Sequence, residues 1–181
     1  MQEHTIPAAL DIHRAAREQL QLQGVDLLSK FERLAQEALG LGLENSLNWV
    51  VQLTQRPQPD GELAAWLQLQ VQTRIAQTCQ RCLLPVEVEV QVDRAFRFVA
   101  TEALAEAQDD GCEEDLLVLS RSFDLAALIE DEVLLALPLI ARHEVCPQPV
   151  RLSAVDADFE PAGQAPVSPF VAALAGLKPG A

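Results

Sequence analysis

The sequence predicts an α+β fold: an antiparallel β meander with flanking helices, followed by a flexible acidic C-terminal tail. Three observations carry that expectation. Residues 63–98 hold two long runs of strictly alternating apolar and polar side chains. Segments before and after them keep a helical spacing bounded by capping residues. Beyond Cys146 the pattern dissolves into Pro, Ala and acidic residues.

The alternating runs are the plainest feature. Leu67, Leu69, Val71, Thr73 and Ile75 share one parity, while Gln68, Gln70, Gln72 and Arg74 take the other. After Cys79 and Cys82, Val86, Val88, Val90 and Val92 alternate with Glu87, Glu89, Gln91 and Asp93. A period of two gives each strand one buried and one wet face. The pair reads as an antiparallel hairpin with a structured tip. Arg94 falls on the apolar parity before Phe96 and Phe98 resume it. That calls either for a bulge or for an arginine lifting its head into water.

The other elements follow in order. His4 to Leu10 is short and apolar, an edge strand or simple cover. From Asp11 to Gln23 the spacing of Ile12, Ala15, Ala16, Gln19 and Leu20 is helical, with Gly24 as the stop. Ser29 and Glu32 have the form of a capping box, predicting a helix over 30–39. Phe31, Leu34, Ala35, Ala38 and Leu39 form its apolar face, and Gly40 stands as the C′ residue. Leu47, Trp49, Val51 and Leu53 alternate as a strand, and Pro57 to Gly61 reads as a turn. Three meander strands result, with Leu116–Leu119 as a fourth. Between them, 101–115 holds seven acidic residues and no base. A solvated loop is the ordinary reading; a docking surface for a basic partner is the sharper one. Asp124 caps a helix that Pro138 ends. Leu125, Leu128, Ile129, Val133 and Ala136 form its buried stripe, with Glu130 and Asp131 towards the other side. Glu132 falls inside the stripe, so it needs an arginine or backbone amides as partner, or else a binding or catalytic role. The tail, 147–181, closes with Ser168 and Pro169 opening a short amphipathic helix in which Phe170, Leu174 and Leu177 form one stripe. These boundaries make 1–146 one α+β domain.

Charge narrows the function. Thirteen basic residues stand against 27 acidic ones, a net charge of −14. Gripping RNA through phosphates needs clustered Lys and Arg, and the only lysines are Lys30 and Lys178. An acidic chain attracts basic partners instead. No apolar run reaches the roughly 18 residues of a membrane helix. The first residues lack the charged and apolar regions of a signal peptide. A cytoplasmic protein is therefore expected, and its four cysteines point to metal or thiol chemistry rather than disulfides.

Cys79 and Cys82 put two thiolates within reach of one metal, and His143 with Cys146 offers a second pair. Together they would make a Cys3His zinc site with Pro85 and Pro147 stiffening the knuckles. Unliganded cysteines are the other main reading. Thioredoxin-like redox work is disfavoured because such a motif belongs at a helix N-terminus. Cys112, set among acids, is disfavoured as a nucleophile. Phosphate-binding, dinucleotide-binding, nucleophile-elbow and HExxH motifs are all absent.

Taken in order, Ile6 to Asp11, Cys79-Gln-Arg-Cys82, the helix from Asp124 through Glu132 to Pro138, the His143/Cys146 pair and the stretch Pro169 to Lys178 resemble the bacterial YceD family, the large ribosomal RNA subunit accumulation proteins. Acidity is also a family feature. The resemblance implies a role in the synthesis, processing or stability of 23S rRNA. Some relatives carry a fuller cysteine set after the helix than the His143 and Cys146 found here. The resulting expectation is a non-catalytic ribosome biogenesis factor. It would work through a basic large-subunit ribosomal protein or pre-ribosomal particle, touching 23S rRNA indirectly, with zinc as a candidate cofactor. Glu132, Phe170, Leu174 and Leu177 are its candidate docking residues. The rival is an enzyme of rRNA maturation, a nuclease or a thiol oxidoreductase. The nuclease would need clustered carboxylates or a His pair, and the oxidoreductase a lowered thiol pKa at Cys79 or Cys82.

Overall fold

The alternating runs become neighbouring strands of one five-stranded sheet in the computed structural model of the chain, whose described residues are 5–58 and 61–148. The strands are β1 (Gln21–Leu27), β2 (Ser46–Pro57), β3 (Leu63–Thr78), β4 (Pro85–Val99) and β5 (Asp115–Val118), and they lie in sequence order across the sheet. The first four pair antiparallel, and β5 runs parallel to β4. A parallel neighbour cannot be reached by a tight turn. The connection from β4 to β5 accordingly carries a helix, α3 (Glu102–Gln108).

One face of the sheet is buried by α1 (Ile12–Arg17), α2 (Glu32–Glu37) and α4 (Leu125–Leu135). The predicted apolar parity supplies that face. Leu47, Trp49, Val51 and Leu53 of β2 meet Leu67, Leu69, Val71 and Ile75 of β3 and Val90, Val92, Phe96 and Phe98 of β4. Each large apolar side chain so buried contributes about 1.5–3 kcal/mol. Two buried polar groups on this face find partners nearby. Thr73 Oγ1 donates to the Ser46 carbonyl at 3.0 Å. Asp26 accepts from Trp49 Nε1 at 2.8 Å and pairs with Lys30. The opposite face is a polar carpet of Gln23, Gln70, Gln72 and Gln91 around Asn48 and Asp93.

Several expectations need correction. The helix predicted over 11–23 ends at Arg17, capped by Asp11, whose Oδ1 accepts from Arg14 N. Gln19 then takes a left-handed turn and the chain re-enters as β1. The sequence pattern hides that strand because its inward positions are Leu22, Gly24 and Asp26, of which only Leu22 is a large apolar residue. Leu10 makes a single bridge to Phe123, whose ring packs edge-on against Phe98 at 5.5 Å. No bulge occurs at Arg94: β3 and β4 pair without interruption from Trp66↔Arg97 to Thr78↔Pro85. The arginine reaches outward instead, to Asp115 and, at 3.9 Å, to Glu132.

The acidic stretch is not simply a loop. Thr101 caps α3 by accepting from Leu104 N, and none of the helix is buried. Glu114, just beyond it, holds the buried Arg97 at 2.5 Å, with Gln108 accepting a second bond from that guanidinium. Burial pushes the Glu114 carboxyl up, but Arg97 outweighs it and leaves it below the ordinary carboxylate range.

The capping box at Ser29 does not form. Helix α2 begins at Glu32, and Phe31 at its N-cap gives no side-chain cap. The cap comes from α4, where Glu130 Oε1 accepts from Arg33 N at 2.7 Å and Leu34 N at 3.2 Å. Its Oε2 accepts from Arg33 Nε at 2.9 Å. Glu130 is therefore buried, not turned away, whereas Ala136 is exposed beyond the end of α4. At the other end of α2, Leu39 and not Gly40 takes the C′ place, with φ of 52°. Leu39 N donates to Gln36 O and Gly40 N to Ala35 O, the two bonds of a Schellman motif. The expected tail, with Phe170, Leu174 and Leu177, lies outside the described residues.

Candidate metal centre

The tip of the β3–β4 hairpin is built to present sulfur. Cys79 directly follows β3, its amide donates to Leu84 O, and Leu83 N donates back to Cys79 O, both at 2.9 Å. To close so short a turn, Leu83 adopts φ of 60°, a left-handed conformation that a leucine takes only at a cost. The stretch after α4 is laid against this tip. Gln80 N donates to Ala141 O at 2.9 Å. Arg81 Nη2 donates to the carbonyls of His143 at 2.6 Å and Glu144 at 3.1 Å. A residue between the two cysteines thus positions the second pair of ligands, a role that spacing alone does not reveal.

The four predicted ligands meet. The ligand atoms of Cys79, Cys82, His143 and Cys146 all lie within 4.8 Å of one another. Cys79 Sγ and Cys146 Sγ are 4.0 Å apart, and Cys82 Sγ lies 3.5 Å from His143 Nδ1. A tetrahedral ion with Zn–S bonds near 2.3 Å and Zn–N near 2.0–2.1 Å requires edges of about 3.8 Å between sulfurs and 3.6 Å between sulfur and nitrogen. The two shortest separations, 4.0 and 3.5 Å, lie close to those edges. No disulfide links the cysteines, and at 4.0 Å the Cys79–Cys146 pair is far from the roughly 2.05 Å of an S–S bond.

Electrostatics divide the cluster. Cys79 is buried, and burial opposes its thiolate. Backbone hydrogen bonds at Cys82, His143 and Arg81, with the His143 side chain, outweigh burial and lower the thiol to about 5. Cys146 moves the other way: burial raises it, as do its hydrogen bonds with Cys82 and Cys79. The negative charge is thus held more readily on Cys79 than on Cys146. A divalent cation would release the remaining protons.

Glu132 is not part of this centre. It lies buried on α4 with the half-exposed Arg94 as its nearest base. Burial raises its carboxyl above the ordinary range, Arg94 pulls it down, and Asp115 and Asp131 push it up again. Cys112 is also separate, its Sγ within donor distance of the Asp109 and Glu114 carbonyls. Among the described residues, no helix is long and apolar enough to cross a membrane.

An acidic α+β domain whose Cys79, Cys82, His143 and Cys146 side chains converge at a hairpin tip carries a candidate metal knuckle. Residues 67–178 match the family described as Large ribosomal RNA subunit accumulation protein YceD, and the chain belongs to that family. The match takes in both halves of the Cys3His cluster. No solved structure matches the chain.

Proposed function

We propose that this chain is a non-catalytic assembly factor that supports the synthesis, processing or stability of 23S rRNA. It would act in the cytoplasm through a basic large-subunit ribosomal protein or a pre-ribosomal particle, reaching the rRNA indirectly. The observation that carries this reading is the net charge of −14 on a member of a family named for large ribosomal RNA accumulation. Such a surface repels RNA phosphates and draws basic protein. Cys79, Cys82, His143 and Cys146 would hold zinc, which supplies cross-linking of the hairpin tip to the stretch after α4 rather than chemistry. Residues 147–181 would form a separate tail, with Phe170, Leu174 and Leu177 as its docking stripe. Glu132, being buried, enters only indirectly, by restraining the half-exposed Arg94.

The thiol oxidoreductase reading draws support from the lowered Cys79 thiol. Against it, Cys79 is wholly buried, and a thiol must be reached to exchange. The same backbone hydrogen bonds would serve a metal-bound thiolate equally well.

Affinity purification of the full chain at low salt, with protein and RNA both identified, tests the proposal. The expected result is a large-subunit ribosomal protein whose capture weakens as salt is raised, because screening contracts the field to about 8 Å near physiological ionic strength. Recovery of naked rRNA, or turnover of a disulfide substrate by the purified chain, would refute it.

A further inference from the structure

The end of the molecule that carries the Cys3His cluster is also its apolar end. Among the described residues, the six most exposed large apolar side chains are Leu39, Leu83, Leu135, Leu139, Ile140 and Val145, at 67–102% exposure. All belong to the end of α2, the hairpin tip, or the stretch from α4 to Cys146. Scattered single apolar residues on a surface need no explanation, but a concentration does. Two of the six are more pointed still. Leu39 and Leu83 sit on left-handed backbone, at φ of 52° and 60°, where glycine would be relaxed. Neither is buried, so packing within the described chain does not account for a leucine there.

Beside Leu39 lies a depression of about 310 Å³, with Leu39, Leu139 and Pro138 among its walls and Glu37 and Gln77 at its polar side. Gln77 Nε2 donates to Glu37 Oε1 at 3.3 Å. Gln77 Oε1 is buried and has no hydrogen-bond partner. A carboxylate and an unmet acceptor beside aliphatic walls suit one kind of guest. That guest is a lysine or arginine, its stem on the leucines and its head at Glu37, with Gln77 turning to complete the bond.

We propose that this apolar collar is the docking surface for a Lys/Arg-bearing protein segment with aliphatic side chains, one of whose basic residues seats in the Glu37 depression. The inference rests on the reading that the partner is a basic ribosomal protein, and it names the surface that receives it. A second copy of the chain is a poor occupant, because two chains of charge −14 repel. RNA is also a poor one, because its phosphates would face aliphatic groups and a carboxylate. The metal cluster would act as scaffold, holding the tip and the 139–145 stretch in one surface.

The test uses the full-length, zinc-loaded chain with a photo-crosslinking amino acid in place of Leu139. Its partner is the total protein of purified large subunits stripped of RNA. The expected product is a cross-link to a Lys/Arg-bearing segment of one ribosomal protein. Glu37→Gln and Leu39→Gly should each weaken that capture about tenfold with metal content unchanged. Leu39→Gly should also keep or raise the melting temperature, because it relieves the backbone, so its loss of binding could not be blamed on unfolding. A cross-link only to a second copy of the chain would overturn the proposal. So would ribosomal-protein binding that ignores both substitutions, although the proposed function would survive. If no ribosomal protein binds the wild-type chain, both readings fall together.

Discussion

Glu130→Ala should be among the most damaging single changes outside the core, although the residue is a charged side chain on a helix. Its Oε1 accepts from two backbone amides at the start of α2, and Leu34 is fully buried. Losing a helix cap costs about 1 kcal/mol. Leaving a buried amide without an acceptor adds about 1–2 kcal/mol more. The sum, about 2–3 kcal/mol, corresponds to a fall in melting temperature of about 5–10 °C for a chain of this size. Glu130→Gln keeps one oxygen at the same place and should cost roughly half as much, since it loses the charge but not the acceptor. Ser29→Ala is the control. Ser29 lies before the N-cap and gives α2 no side-chain cap, so its loss should stay within about 0.5 kcal/mol. Thermal and urea unfolding followed by circular dichroism would measure all three. If Ser29→Ala proved as costly as Glu130→Ala, the local capping box would be real and the long-range cap incidental.

Protein prepared without chelator should contain close to one zinc per chain by elemental analysis, and Cys79→Ser should lose both the ion and thermal stability; a wild-type chain free of metal would dismiss the centre. Glu132→Gln bears on pH. Burial raises this carboxyl in the folded chain, so the protonated form adds stability below the unfolded carboxyl's range, and that contribution is lost as pH rises through the folded value. The glutamine variant should therefore match or exceed wild type at neutral pH and lose its advantage in acid, as urea midpoints at several pH values would reveal. Glu114 has the opposite sign, since Arg97 holds its carboxyl down in the folded chain. Its contribution is present above the unfolded value and is lost as pH falls, so Glu114→Gln should destabilise by about 2 kcal/mol at neutral pH, the scale of one hydrogen bond to a charged group, and by less in acid. An equal loss at both would show that the ion pair is not its source.

How much could be read in advance depended on whether the signal was local. The β3–β4 hairpin was legible because Leu67 to Ile75 and Val86 to Val92 alternate with Thr73 as the one polar residue on the inward parity, and burial on one face of a sheet enforces that pattern. The meeting of Cys79, Cys82, His143 and Cys146 was legible because two pairs at knuckle spacing suggest one shared centre, although spacing alone left unliganded cysteines as an equal reading. Strand β1 was not, because its inward positions hold Gly24 and Asp26, and Asp26 is tolerated only through Trp49 and Lys30. Glu130 was misassigned because a helical wheel sees one helix, and its partners stand on another. The parallel pairing of β5 was hidden for the same reason, since Leu116–Leu119 states that a strand exists but not which way its neighbour runs. Leu39 and Leu83 reveal nothing in sequence, because a left-handed backbone shows only in the fold.

The sheet and its two long-range ties also differ in when they can form. Strands β1 to β4 pair with their sequence neighbours, so each hairpin can close as soon as it leaves the ribosome, and such near-neighbour topology folds readily. The cap of α2 waits for Glu130, and the ligand cluster waits for His143 and Cys146. A nascent chain stopped near residue 120 would carry the meander with α2 uncapped and two of its four sulfur and nitrogen ligands missing. The residues that complete both ties arrive within one short segment, 130–146, so metal capture would follow the whole sheet in synthesis. A bound ion would then report that the sheet and the stretch after α4 had been joined.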